Sequence, residues 1–70
     1  MTNTTLLERY IAESGYKKSY LAKALGLKST TALTSKVRNL TEFKAREIDV
    51  LCELLNMRDW ETREAIFFAK

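Results

Sequence analysis

Seventy residues make one small domain, and a chain of this size buries only about 60% of its unfolded surface, so its stability margin is thin. One cysteine, Cys52, and no histidine exclude a disulfide framework and leave no material for a zinc site or a Cys–His nucleophile. The net charge of +3 is unevenly spread: residues 17–40 carry six cations (Lys17, Lys18, Lys23, Lys28, Lys36, Arg38) and no acid, whereas residues 41–70 carry five Lys/Arg against seven Asp/Glu, a local balance of −2.

Thr5 opens the first predicted helix, residues 5–14, in which Leu6, Leu7, Tyr10 and Ile11 recur at i, i+1, i+4 and i+5. Asn3 or Thr4 can cap its start, Gly15 can end it in the left-handed conformation, and Tyr16 then offers an apolar contact. The second helix covers residues 18–25, with Leu21, Ala22 and Leu25 inward. A lysine pair at its start opposes the helix dipole by a few tenths of a kcal/mol, a local cost that hints at a role outside folding. Gly26 stops this helix and Leu27 plugs the turn into the core. Each of Ser29, Thr30 and Thr31 can cap the third helix, which runs to Arg38 with Asn39 as a left-handed terminator. Leu33, Val37 and Leu40, at i, i+4 and i+7, are its expected buried stripe; at about 100° per residue the opposite face holds Thr31, Thr34, Ser35 and Arg38.

Phe43 packs in the next connection. Residues 45–55 form a fourth helix with Ile48, Leu51, Cys52 and Leu55 on one stripe, Leu54 alongside, Glu47 in the first turn and Asn56 at its end. Asp59 caps a last helix, residues 60–69, in which Ile66, Phe67 and Phe68 are strongly apolar. The chain has no proline, linker, repeat or low-complexity segment. The expected class is all-α: residues 1–70 as a single compact five-helix bundle. The polar opening MTNTT is unlike a signal peptide, and no apolar run approaches the roughly 18 residues of a membrane span, so a cytoplasmic protein with no membrane partner is expected.

Ala22 and Gly26, four apart among Leu21, Leu25 and Leu27, suit two helices crossing closely about a tight turn. The run SYLAKALGLKSTTALTSKV resembles the helix-turn-helix of the lambda-repressor and Cro family, NLTEFKAREIDVLCELLN resembles that family's fourth helix, and EAIFFAK resembles the ending of small prophage-encoded regulators. The likeness extends from Leu6 to Phe68. One departure stands out: the family places apolar residues six and nine or ten positions after the turn glycine, where this chain has Ala32, Ser35 and Lys36. Its apolar pair, Leu33 and Val37, comes at seven and eleven, so the turn is one residue longer.

The resemblance implies a repressor-like or Cro-like regulator, phage- or prophage-encoded, acting in the cytoplasm of a bacterial host. In this family the second helix of the motif enters the major groove and the N-terminus of the first lies on the backbone. Carried onto this chain, the base-reading candidates are Ser29, Thr30, Thr31, Thr34, Ser35 and Arg38, and the phosphate candidates are Lys17, Lys18, Ser19, Lys28, Lys36, Asn39 and Lys44. A homodimer would occlude a pseudo-palindromic operator on double-stranded DNA, with Trp60, Ile66, Phe67 and Phe68 as candidate dimer residues and no cofactor, metal or small-molecule ligand. Other readings are an antirepressor-like protein-interaction module and an accessory DNA-binding protein in phage recombination. An enzyme is not expected. Cys52 reads as a small buried hydrophobe.

Overall fold

The side chains that start and stop the helices account for the element boundaries. A computed structural model describes residues 1–69 and places five α-helices: α1 (Thr4–Ser14), α2 (Lys18–Ala24), α3 (Thr30–Val37), α4 (Ala45–Leu54) and α5 (Trp60–Phe67), with no strand among the described residues. Three helices begin on a short polar side chain. Asn3 Oδ1 accepts the Leu6 N–H (3.1 Å), Ser29 Oγ accepts the Ala32 N–H (3.2 Å) and an Asp59 carboxylate oxygen accepts the Thr62 N–H (2.9 Å). Each such cap is worth about 1 kcal/mol. Helix α4 lacks a hydroxyl at its cap, and Glu47 Oε1 instead reaches back to the Lys44 N–H at 2.9 Å.

Helices α2, α3 and α4 all stop in one way. Gly26, Asn39 and Asn56 take φ of 77°, 66° and 60°, which turns the next residue back along the helix. The returning N–H groups of Leu27, Leu40 and Met57 donate to the carbonyls of Ala22, Ser35 and Cys52 at 2.9, 2.9 and 2.8 Å. This stop usually comes with an apolar contact between the two residues so joined. Leu27 packs against the core beside Ala22, and Met57 is buried with Cys52. Ser35 offers no apolar surface. Leu40, expected in the buried stripe of α3, is therefore 74% exposed: the left-handed Asn39 breaks the helical phase that would have continued the stripe from Val37.

The core joins all five helices: Leu7 and Ile11 of α1, Leu21 and Ala22 of α2, Leu33 and Val37 of α3, Leu51 and Cys52 of α4, and Ile66 and Phe67 of α5, with Leu25, Leu55 and Met57 from the turns. Leu33 and Val37 are fully buried, so two of the three positions expected in the α3 stripe reach the core. Phe43 meets Phe67 edge-on, ring centroids 5.5 Å apart, and so packs as expected. Ile66 and Phe67 were dimer candidates; the structure places both in this core, which removes them from any surface.

The N-terminal segment is tied at two places. The Asn3 N–H donates to the Ile66 carbonyl and the Ala69 N–H to the Met1 carbonyl, joining it to the end of α5. On its other side Asn39 closes a two-point clasp: Oδ1 accepts the Thr2 N–H and Nδ2 donates to the Thr2 carbonyl, both at 2.7 Å. Thr4 Oγ1 adds a bond to the Val37 carbonyl at 2.6 Å. Thus the end of α3, the chain start and the end of α5 form one hydrogen-bonded layer. Asn39→Ala is expected to cost about 2–3 kcal/mol, from the lost clasp and the left-handed backbone together, and Asn39→Gly about 1 kcal/mol less. Urea midpoints check this; equal losses would remove the backbone contribution.

Candidate nucleic-acid interface

With Leu33 and Val37 turned inward, the helical period directs Thr31 and Ser35 away from the core, with Arg38 in line at the C-cap. Thr30, Thr31 and Arg38 are exposed, and Thr34 and Ser35 are half-buried on the margins of this face. Ser29 differs from the others: its hydroxyl accepts the Ala32 N–H, so it starts α3 and has only its remaining capacity for a ligand. Helix α2 packs against α3 and opens at Lys17, whose backbone is extended and whose side chain makes no cap. Lys17, Ser19, Lys23 and Lys28 are exposed.

Two acids from outside the cationic run pair with its lysines. Lys18 Nζ lies 2.9 Å from Glu8 Oε1 and 3.2 Å from Oε2, a half-exposed pair between α2 and α1. Lys36 Nζ lies 2.9 Å from Glu47 Oε1 and donates also to the Glu42 carbonyl at 2.9 Å. The second pair is the tighter, with side chains only 12% and 5% exposed. Lys36 was expected on phosphate; its ammonium is turned inward because a carboxylate and a carbonyl meet it between α3 and α4. Asn39, also expected on phosphate, spends its amide on Thr2. Lys44 stands exposed at the start of α4. The cations that remain exposed without an ion pair among the described residues in this run are Lys17, Lys23, Lys28 and Arg38.

Burial pushes the Glu47 carboxyl up, but the Lys44 backbone N–H and the Lys36 ammonium outweigh it and hold the group below the usual carboxylate range. Exposed Asp59 is also lowered, by the Thr62 hydroxyl and backbone N–H. Burial pushes the Cys52 thiol up, which keeps it protonated and fits its place in the core.

Three surface contacts, as distinct from the residues that make them, did not figure in the expectations from sequence. Tyr16 and Tyr20 stack on each other at the start of α2 with centroids 5.2 Å apart, so Tyr16 turns to its neighbour rather than to the core. Two tyrosines four apart in an acid-free run were the available signal. Arg46 crosses from α4 to donate to the Leu25 carbonyl at 3.2 Å, covering the end of α2. Trp60 and Phe68 remain at the surface, 65% and 50% exposed, and stack with centroids 6.2 Å apart. Of the four dimer candidates, these two are on the outside.

No helix among the described residues is long and apolar enough to cross a membrane, and no group of three or more His, Cys, Asp or Glu among them could hold a metal ion. No family model, no curated protein and no solved structure matches the chain.

The Lys36–Glu47 pair sets a pH dependence. Because Glu47 is depressed in the folded state, its contribution is complete above the ordinary value of 4.5 and is lost as pH falls through the lower folded value. Glu47→Gln should cost about 3 kcal/mol at neutral pH, since it strands a buried ammonium. It should also flatten the fall in urea midpoint between neutral pH and pH about 3. An unchanged slope would assign the acid sensitivity elsewhere.

Proposed function

We propose that this chain is a small sequence-specific regulator of transcription that binds double-stranded DNA through α2 and α3 arranged as a helix-turn-helix. The observation that carries the reading is the face of α3. It presents hydroxyls and Arg38 to solvent inside a run without acids, while two carboxylates from outside the run, Glu8 and Glu47, are paired with Lys18 and Lys36. An ordinary solvated helix face mixes both charge signs.

In this mechanism α3 lies in the major groove and the start of α2 rests on the backbone. Thr30, Thr31, Thr34, Ser35 and Arg38 face base edges. The hydroxyls donate to or accept from several bases, threonine methyls meet the thymine methyl, and the Arg38 guanidinium has the fork for guanine O6 and N7. Lys17, Ser19, Lys28 and Lys44 hold phosphates and so fix the register. The paired Lys18 contributes less, and Lys36 and Asn39 act by holding α3 in place. A homodimer on a pseudo-palindromic operator sets two such helices about 34 Å apart and excludes polymerase by occupancy. Trp60 and Phe68 supply the exposed apolar surface for the second copy.

The same exposed pair favours a second reading, a protein-interaction module of the antirepressor kind. Salt dependence separates the two. Neutralising four phosphates should weaken duplex binding about tenfold for each doubling of salt. Weak, salt-insensitive association with every duplex would sink the DNA reading. Arg38→Ala is expected to cost about 1–3 kcal/mol of binding and to relax preference at one base pair; a uniform loss across sequences would move Arg38 to phosphate. Trp60→Ser with Phe68→Ser should leave a folded monomer by sedimentation, with weakened binding to a two-half-site duplex. Unchanged self-association would place the dimer contact elsewhere.

A further inference from the structure

Tyr16 and Tyr20 form an aromatic pair that the fold does not use. Their rings are nearly parallel, 16° apart in plane, and they remain 40% and 51% exposed, outside the core cluster. Besides the stack, Tyr16 is held by its backbone N–H, which donates to Ser14 Oγ at 3.2 Å. Neither phenolic hydroxyl has a hydrogen-bond partner among the described residues, so both keep their donors for a ligand. Lys17 lies between the two tyrosines in sequence, and Lys23 follows Tyr20 by three residues on the same outer side of α2, opposite buried Leu21, Ala22 and Leu25. Ser19 adds a third exposed hydroxyl. No acid occurs between Glu13 and Glu42, and the Glu8 carboxylate is spent on Lys18.

From this juxtaposition we infer that the stacked Tyr16–Tyr20 pair, flanked by Lys17 and Lys23, is a contact surface for the sugar–phosphate backbone of one DNA strand beside the groove that α3 enters. The inference rests on the DNA-binding reading and assigns a role to residues that reading leaves idle. Charge complementarity selects the occupant: the surface is cationic and hydroxyl-bearing, as a phosphodiester chain requires. Each phenol O–H donates to a phosphate oxygen, and the exposed ring surface lies on deoxyribose. The mutual stack holds both hydroxyls in place before binding, so little side-chain freedom is lost on contact. These donors are neutral. They add affinity for every sequence and release no counterions, whereas a lysine on phosphate contributes directly to the salt slope.

That difference supplies the test. Tyr16→Phe with Tyr20→Phe keeps both rings and their stack and removes only the two hydroxyls. Binding of the full chain to a set of mixed-sequence duplexes and to matching single strands is measured across a salt series. The double variant should bind all duplexes about tenfold more weakly with an unchanged slope of log K against log salt. Lys17→Ala should reduce the magnitude of that slope by about one unit. If the double variant binds duplex as tightly as the original chain, the tyrosine contact is wrong while the DNA reading stands. If the original chain shows no salt-dependent duplex binding, the DNA reading falls and the contact with it. Tighter binding to single strands than to duplex would make the rings a base-stacking platform and overturn the backbone assignment.

Discussion

The buried ion pair between Lys36 and Glu47 is the constraint from which the arrangement of α3 follows. Two side chains join four groups: the Lys36 ammonium meets the Glu47 carboxylate and the Glu42 carbonyl, and the same carboxylate oxygen accepts the Lys44 N–H that opens α4. The pair thereby closes the loop between the helices, starts α4 and sets the rotation of α3 about its axis. With Lys36 turned toward α4 and Leu33 and Val37 toward the core, Thr31 and Arg38 are left exposed and half-buried Ser35 lies at the margin of that face. A buried ion pair contributes little net stability against an apolar pair of equal volume. Its effect here is on orientation: any other rotation of α3 would strand one of the two charges.

The Asn39 clasp restrains the other end of α3. Its left-handed backbone ends the helix, and its amide binds the chain start, which is bonded in turn to the end of α5. A 70-residue domain has few contacts to spare, and polar groups at the helix ends do here what a larger core does elsewhere. The outcome is a segregated surface. The cations of residues 17–40 left exposed without an ion pair among the described residues are Lys17, Lys23, Lys28 and Arg38, and the exposed aromatic pair Trp60–Phe68 belongs to the acid-rich remainder of the chain.

Much of the fold was legible because it was written in periodicity and in terminators. The five helices lie within two residues of the limits that the apolar spacing and the cap residues predict, and Gly26, Asn39 and Asn56 stop helices as their residue types suggest. What escaped was non-local or out of phase. Leu40 continued the i, i+4, i+7 count on paper, but that count holds only while the backbone stays helical. Lys36 reads as a surface cation until its partner, eleven residues away on another helix, is in place. Four apolar residues near the C-terminus could not be sorted by a short amphipathic pattern; the place of Ile66 in the shared core and the edge contact of Phe67 with Phe43 decide which are inside. Met57 lay outside any helix and joined the core through the return of the chain at Asn56. For the candidate interface, the sequence showed the acid-free run and the outward hydroxyls. The pairing that removes Lys36 and Asn39 from it, and the stacking of Tyr16 on Tyr20, required the tertiary structure.

The central claim is that the outward face of α3 reads base sequence. Selection from a random duplex library tests it most directly, because it presumes neither an operator nor a partner. The account predicts enrichment of an inverted repeat with half-sites one helical turn apart, about 10 base pairs between centres. Recovery of duplexes without a common sequence, at an affinity governed by salt alone, would contradict it and leave the cationic run as a non-specific surface.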